Sequence, residues 1–261
     1  NNIGDKVYVR GVLSRNNTIS KYTQFKMTGK IAASGNCNAI WNYNDLDKPL
    51  KEYCGYYMFN GCTSLTTAPE LPATTLASEC YRSMFDGCTS LNKAPKLPAT
   101  TLENANGCYR TMFRDCTSLN KAPELPATTL ASYCYDDMFY GCTSLKQAPE
   151  LKAKTLASNC YNYMFYNCTS LTTAPALPAT TLAYNCYQSM FWGCTSLTQA
   201  PALPATTLAD YCYAYMFVNC TSLTTAPDLP ATTLADSCYC GMFQGCSNLN
   251  YIKCLATDMS A

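Results

Sequence analysis

The chain has no histidine among its 261 residues. That absence removes Ser-His-Asp and Cys-His nucleophile pairs and the usual proton carrier near neutral pH. A zinc site would need cysteine alone, or cysteine with carboxylate. Charge is also scarce. Only 13% of residues are charged and they nearly cancel, to +1, so the clustered Lys/Arg excess of a nucleic-acid binder is missing. No run of eighteen apolar residues occurs, and no membrane-spanning helix is predicted. Asn1, with neither initiator Met nor signal sequence, reads as a processed or trimmed start. Thr, Ser, Asn and Tyr must supply the polar surface that charge does not.

What is abundant is cysteine, and it is in register. Of nineteen cysteines, Cys54, Cys80, Cys108, Cys134, Cys160, Cys186, Cys212 and Cys238 each open a copy, and a second cysteine follows eight residues later in each. The period is 26 residues, with two more before Cys108. Cys37, Cys240 and Cys254 fall outside the pattern. A fixed period of this length marks a solenoid whose units bury their apolar sides against one another.

One copy can be read residue by residue. Thr129 is placed to cap a helix. Leu130, Cys134 and Met138 follow as an apolar stripe at i, i+4 and i+8, a helical period. Ser132, Tyr133, Asp136, Asp137 and Tyr140 fall on the other side and vary between copies. Before every second cysteine stands Gly, Asn or Asp, as at Gly61, Asp115 and Asn167. These residues best tolerate a left-handed backbone, which predicts a helix end there. A short strand is predicted around Leu145 to Ala148, stopped by Pro149, which cannot sit inside a ladder. Phe139, present in every copy, fits the helical stripe poorly. The predicted unit is strand, turn, helix, turn, which makes the chain α/β. Strands ~4.8 Å apart beside helices ~8–10 Å apart would curve the stack, strands on the concave side.

The expected organisation is a capping segment at residues 1–53 and a solenoid of about eight repeats at 54–261. Residues 6–13 and 22–33 read as strands covering the first repeat, making the cap β-rich. The Leu50 to Cys54 spacing places the first helix there. The last copy is truncated, with Leu249, Ile252 and Leu255 as a final strand and no convincing polar cap. Continuation of the natural protein, or a neighbouring molecule over this end, is expected.

The copies resemble the BspA-type leucine-rich repeats of surface proteins from gut and oral Bacteroidetes. Phe139, Gly141, Cys142, Thr143, Ser144 and Leu145 carry the similarity, and residues 27–36 look like the lead-in of such proteins. The resemblance implies an exported, cell-surface or periplasmic protein used in adhesion or binding, without naming a ligand. The strand departs from it by carrying Ala where many leucine-rich repeats have Leu or Ile.

Three readings of the cysteines remain open, in this order. They are small buried hydrophobes stacked in a ladder, or a disulfide framework in an exported protein, or metal ligands. Eight residues of helix span ~12 Å, too far for a bridge within a copy. Cys240 and Cys254, extra to the ladder, are the best disulfide candidates. No C-x-x-C occurs, so neither a metal nor any other cofactor is expected.

Function should sit where the copies differ. Tyr140, Tyr166 and Trp192 share one column in three consecutive copies, and Tyr163 and Tyr215 share another. Such aromatics can stack on sugars or anchor a protein, or they can simply shield neighbouring helices. Arg82 and Arg110 form a basic column suited to an acidic partner, unless it is ordinary solvated charge. The polar strand-side column from Thr67 to Thr225 is a rival site. The favoured reading is an exported binding or adhesion scaffold, monomeric, for a host or microbial surface protein or glycan. The alternative is a passive spacer displaying other domains. An enzyme is not expected: Asp136 and Asp137 are the only tempting carboxylate pair, and neighbouring helix positions diverge rather than converge.

Overall fold

A computed structural model describes residues 24–26, 31–41, 45–46 and 49–257. The strand expected at residues 6–13 lies outside them. Regular secondary structure among the described residues is confined to β1 (Ile31–Ala32), α1 (Asn38–Trp41) and β2 (Leu65–Thr67). β1 and β2 pair in parallel, Ile31 opposite Leu65 and Ala32 opposite Thr67. Beyond β2 the predicted strands shrink to single parallel bridges between successive copies, among them Thr67 to Lys93, Gln147 to Thr173 and Gln199 to Thr225. Leu249 and Ile252 join no strand; the final segment bridges only at Cys254, to Leu229.

The helix expected from Leu130 onward is not formed, nor is one at Leu50. The segment is a ribbon of consecutive turns with a left-handed residue at every fourth position: Tyr133, Asp137 and Gly141 have φ of 60°, 54° and 70°. The left-handed conformation predicted before each second cysteine is therefore present, but it closes a turn ribbon and not a helix. Alternate N–H groups close turns within the copy, as from Met138 to the Tyr135 carbonyl (3.2 Å) and Cys142 to Phe139 (3.0 Å). The intervening ones reach the next copy: Tyr135 to Cys160 (3.1 Å), Asp137 to Asn162 (2.9 Å), Phe139 to Met164 (2.9 Å) and Gly141 to Tyr166 (2.8 Å).

The sequence carries the reason. Leu130, Cys134, Met138 and Cys142 recur every four residues, and so do Tyr135 and Phe139. A four-residue turn repeat keeps both sets inward, whereas a 3.6-residue helix lets them drift. A helix would also spend its N–H groups internally and hold its neighbour ~8–10 Å away. The ribbon gives up ~1–2 kcal/mol at each non-glycine left-handed residue. In return it gains hydrogen bonds between copies, each ~0.5–1.5 kcal/mol, and close stacking of rings.

That stacking is the core. The phenylalanine column from Phe59 to Phe243 has ring centres 5.4–5.7 Å apart and planes within 10°. The tyrosine column from Tyr81 to Tyr239 runs beside it at 5.6–6.0 Å. Phe139, Met138, Cys134 and Leu145 are fully buried, and Tyr135 is 1% exposed. The copies thus stack as a curved repeat solenoid. Its ribbon-side spacing exceeds the ~4.8 Å of strands by about an ångström and not by a helix diameter, so the cause of a tight bend is gone.

The second cysteines have a specific task. Cys88, Cys116, Cys142, Cys168, Cys194, Cys220 and Cys246 each donate Sγ–H to a phenylalanine carbonyl in the preceding copy at 3.0–3.1 Å. Cys62 does the same to Phe25 (3.1 Å), whose ring stacks on Phe59 at 5.2 Å. All nineteen cysteines are free thiols, including Cys240 and Cys254. Burial pushes up the thiols of Cys88, Cys116, Cys142, Cys168, Cys194, Cys220 and Cys246, so these donors stay protonated.

Candidate functional site

The variable aromatics converge on one ledge of the ribbon. Tyr140 and Tyr166 stack with centres 4.5 Å apart and planes 4° apart. Trp192 continues the stack 5.6 Å from Tyr166, and Tyr215 closes on Trp192 at 6.0 Å, tilted by 45°. Tyr163 leans on Tyr166 at 5.7 Å. Arg114 caps the near end, its guanidinium 4.6 Å from the Tyr140 ring centre. The stack forms because hydrogen-bonded copies hold equivalent side chains one ribbon spacing apart. All five aromatics are half-buried. The ring faces are largely taken by neighbouring rings, so edges and hydroxyls are what solvent meets.

Tyr215 also has a packing role. Its ring covers Gly241, where an added Cβ would lie 2.7 Å from ring carbons, and its hydroxyl accepts from Cys240 Sγ at 3.3 Å. Large over small is a rule in the neighbouring column too. Asn167 leans over Gly193, which has φ of 71° and no room for a Cβ.

Arg82 and Arg110 are placed differently from the free basic pair their column suggested. Arg82 pairs with Glu79 at 3.1 Å and lies 5.7 Å from the Tyr56 ring centre. Arg110 pairs with Asp136 at 2.8 Å and lies 5.1 Å from the Tyr133 ring centre. Asp136 is 1% exposed, and its Oδ1 accepts from Asn162 Nδ2 at 3.0 Å. Burial, then Asp137, push its carboxyl up to about 7 against Arg110 and Asn162. Burial likewise raises Asp137. Asp136 is thus committed to neighbouring copies instead of meeting Asp137 around a substrate. Among the described residues no cluster of metal-ligating side chains occurs.

One signal was legible in the sequence and overlooked. No charged residue occurs between Thr155 and Ala209. This uncharged girdle carries Tyr163, Tyr166 and Trp192, while Asp86, Arg114, Asp115 and Asp137 crowd the copies before it. The polar strand-side column is exposed at Lys93, Gln147, Thr173 and Gln199. It offers no comparable concentration of rings.

No curated protein and no solved structure matches the chain. The family model described as the BspA type leucine-rich repeat region matches in six copies, over residues 36–148 and 108–250. The buried leucine column at Leu65, Leu91, Leu119, Leu145, Leu171, Leu197 and Leu223 accounts for the match physically. Repeats of this family serve as protein-interaction scaffolds and are typically not enzymes, and no helix among the described residues is long and apolar enough to cross a membrane. The chain belongs to the BspA-type leucine-rich repeat family.

Proposed function

We propose that the chain is an exported cell-surface adhesion scaffold that binds a protein through the ledge of Tyr140, Tyr166 and Trp192, flanked by Tyr163 and Tyr215. The observation that carries this reading is the continuous, half-exposed ring stack at the edge of the uncharged girdle. Interface centres are depleted of charge and enriched in Tyr and Trp, and binding energy concentrates on such anchors. The stacked geometry favours a protein over a glycan, because a sugar ring needs an open aromatic face and these faces are largely occupied. Arg82 and Arg110 are each already paired, with Glu79 and Asp136. Residues 1–53 are proposed as the solenoid's cap, supported by the β1–β2 pairing and the Phe25 N–H bond to the Met58 carbonyl (2.7 Å).

Screening the chain against surface-protein and glycan arrays tests the reading. A protein ligand is expected, with affinity falling at least tenfold in the Tyr166→Ala/Trp192→Ala variant, as for loss of a hot-spot pair. Binding that survives both substitutions, or ligands found only among glycans, refutes it. A chain that binds neither class is the passive spacer.

A further inference from the structure

The near-zero net charge hides a segregation. Residues 79–154 carry six lysines: Lys93, Lys96, Lys121, Lys146, Lys152 and Lys154. All six stand on the strand segments, against two carboxylates there, Glu124 and Glu150. The other charges of this stretch, three arginines and six carboxylates, stand on the ribbon and on the segment leading into it. The strand side thus holds a surplus of four positive charges, and the ribbon side a surplus of three negative ones.

On the strand side, the two positions after each buried leucine form a compact array in these copies. One column reads Asn92, Asn120, Lys146 and the next Lys93, Lys121, Gln147. All six residues are exposed. Parallel contacts hold the copies in register: Asn92 N–H donates to the Thr66 carbonyl (3.3 Å), Lys146 N–H donates to the Asn120 carbonyl (3.5 Å), and Thr67 bridges to Lys93. Such pairing sets neighbouring strands ~4.8 Å apart. Each of the six side chains ends in N–H donors, ammonium or amide. Among the described residues Lys93, Lys121 and Lys146 make no ion pair, whereas Lys152 takes Glu150 at 3.5 Å. Lys93 and Lys121 are like charges in one column of adjacent copies, an arrangement that costs stability. The next three copies place only Thr or Gln at these positions, residues 172–173, 198–199 and 224–225. The repeat itself therefore has no need of the charge.

We propose that this array binds an acidic polysaccharide, its ammonium groups taking carboxylate or sulfate and its amides taking sugar hydroxyls. The chemistry of the face selects that occupant. A protein interface is built around a less polar, charge-depleted centre, and neither column holds an apolar side chain from Thr66 to Thr225. Single-stranded nucleic acid is held through rings on which its bases stack, and both columns lack an aromatic over the same span. An acidic glycan asks for cations and hydrogen-bond donors set side by side, which is what the array supplies. The site stands on other segments than the aromatic ledge and does not rest on the reading given for it.

Calorimetric titration of the full chain with polygalacturonate fragments and with dextran sulfate, against neutral dextran, tests the proposal. Saturable binding to at least one acidic polymer and none to dextran is expected. Affinity should fall at least tenfold between about 50 and about 300 mM salt, as exposed charges are screened. Lys93→Gln/Lys121→Gln/Lys146→Gln should weaken binding at least tenfold. Lys51→Gln/Lys152→Gln/Lys154→Gln removes the same charge outside the array and should keep affinity within threefold, as should Tyr166→Ala/Trp192→Ala. A chain that binds neither acidic polymer overturns the proposal. Equal losses from the two lysine triples overturn it too, because binding would then follow net charge and not the array. Loss of polysaccharide binding in the ledge variant moves the site to the rings, and an oligothymidylate that binds more tightly than either polysaccharide makes the occupant a nucleic acid; either result refutes the assignment.

Discussion

Replacing Phe139 by Ala removes a ring that is fully buried and sandwiched between Phe113 at 5.7 Å and Phe165 at 5.6 Å. Truncating a buried Phe costs ~3–5 kcal/mol, and two stacked faces place Phe139 at the upper end. Phe243 is half-buried and has one stacked face, toward Phe217 at 5.6 Å. Halving both burial and stacking gives about 1.5–2.5 kcal/mol for Phe243→Ala. The two variants thus compare an interior layer with an end layer of one column. Urea titration followed by circular dichroism measures both. In a stack stabilised by nearest-neighbour contacts, Phe139→Ala should also broaden the transition or split it in two, because it uncouples the copies on either side. Phe243→Ala should shift the midpoint slightly and keep a single transition. Equal losses from the two substitutions, with unchanged cooperativity, would show that the column is not the unit of stability and would refute the stacking argument.

The remaining expectations are simpler. Thiol titration of the unfolded, unreduced chain should find all nineteen cysteines free; in the folded chain only Cys240, the one exposed thiol, should react within minutes. Burial is the chief cause that raises Asp136 to about 7 and Asp86 to about 6. A raised carboxyl makes the fold bind protons more tightly than the unfolded chain, so its contribution is full below the ordinary carboxylate range and is lost as pH climbs from about 4 to about 7. Thermal unfolding should accordingly show stability falling over that window, and the Asp86→Asn/Asp136→Asn variant should flatten the fall; stability that rises there contradicts the burial argument. Gly193→Ala should cost about 1–2 kcal/mol from its left-handed φ alone, and adding Asn167→Gly should recover part of the loss measured by denaturant midpoint. No recovery would mean that Asn167 does not crowd that site.

The period, the stacking of copies and the leucine-rich family were legible in the sequence, because core positions repeat and a repeat advertises itself. So was the left-handed residue before each second cysteine, since Gly, Asn and Asp stand in no other column so consistently. The helix was misread from the same letters. Leu130, Cys134 and Met138 satisfy a helix over two turns. Only Phe139, with Tyr135 four residues before it, distinguishes a period of four from one of 3.6. The aromatic ledge was visible as a column of letters, but that its rings face one another was not, since this follows from the spacing between copies.

By itself the sequence determined that the chain is a stack of near-identical units and that Cys134, Met138 and Leu145 lie inside it, but not that Tyr135 and Asp136 do. An apolar period survives whichever backbone carries it. Tertiary structure decided the direction of the backbone hydrogen bonds, and with it everything finer: ribbon in place of helix, rings in contact, thiols turned to the carbonyls of the preceding copy, and arginines paired with carboxylates. An N–H that can bond within its own copy or across to the next is a choice no single copy can make, because the competing acceptor belongs to its neighbour.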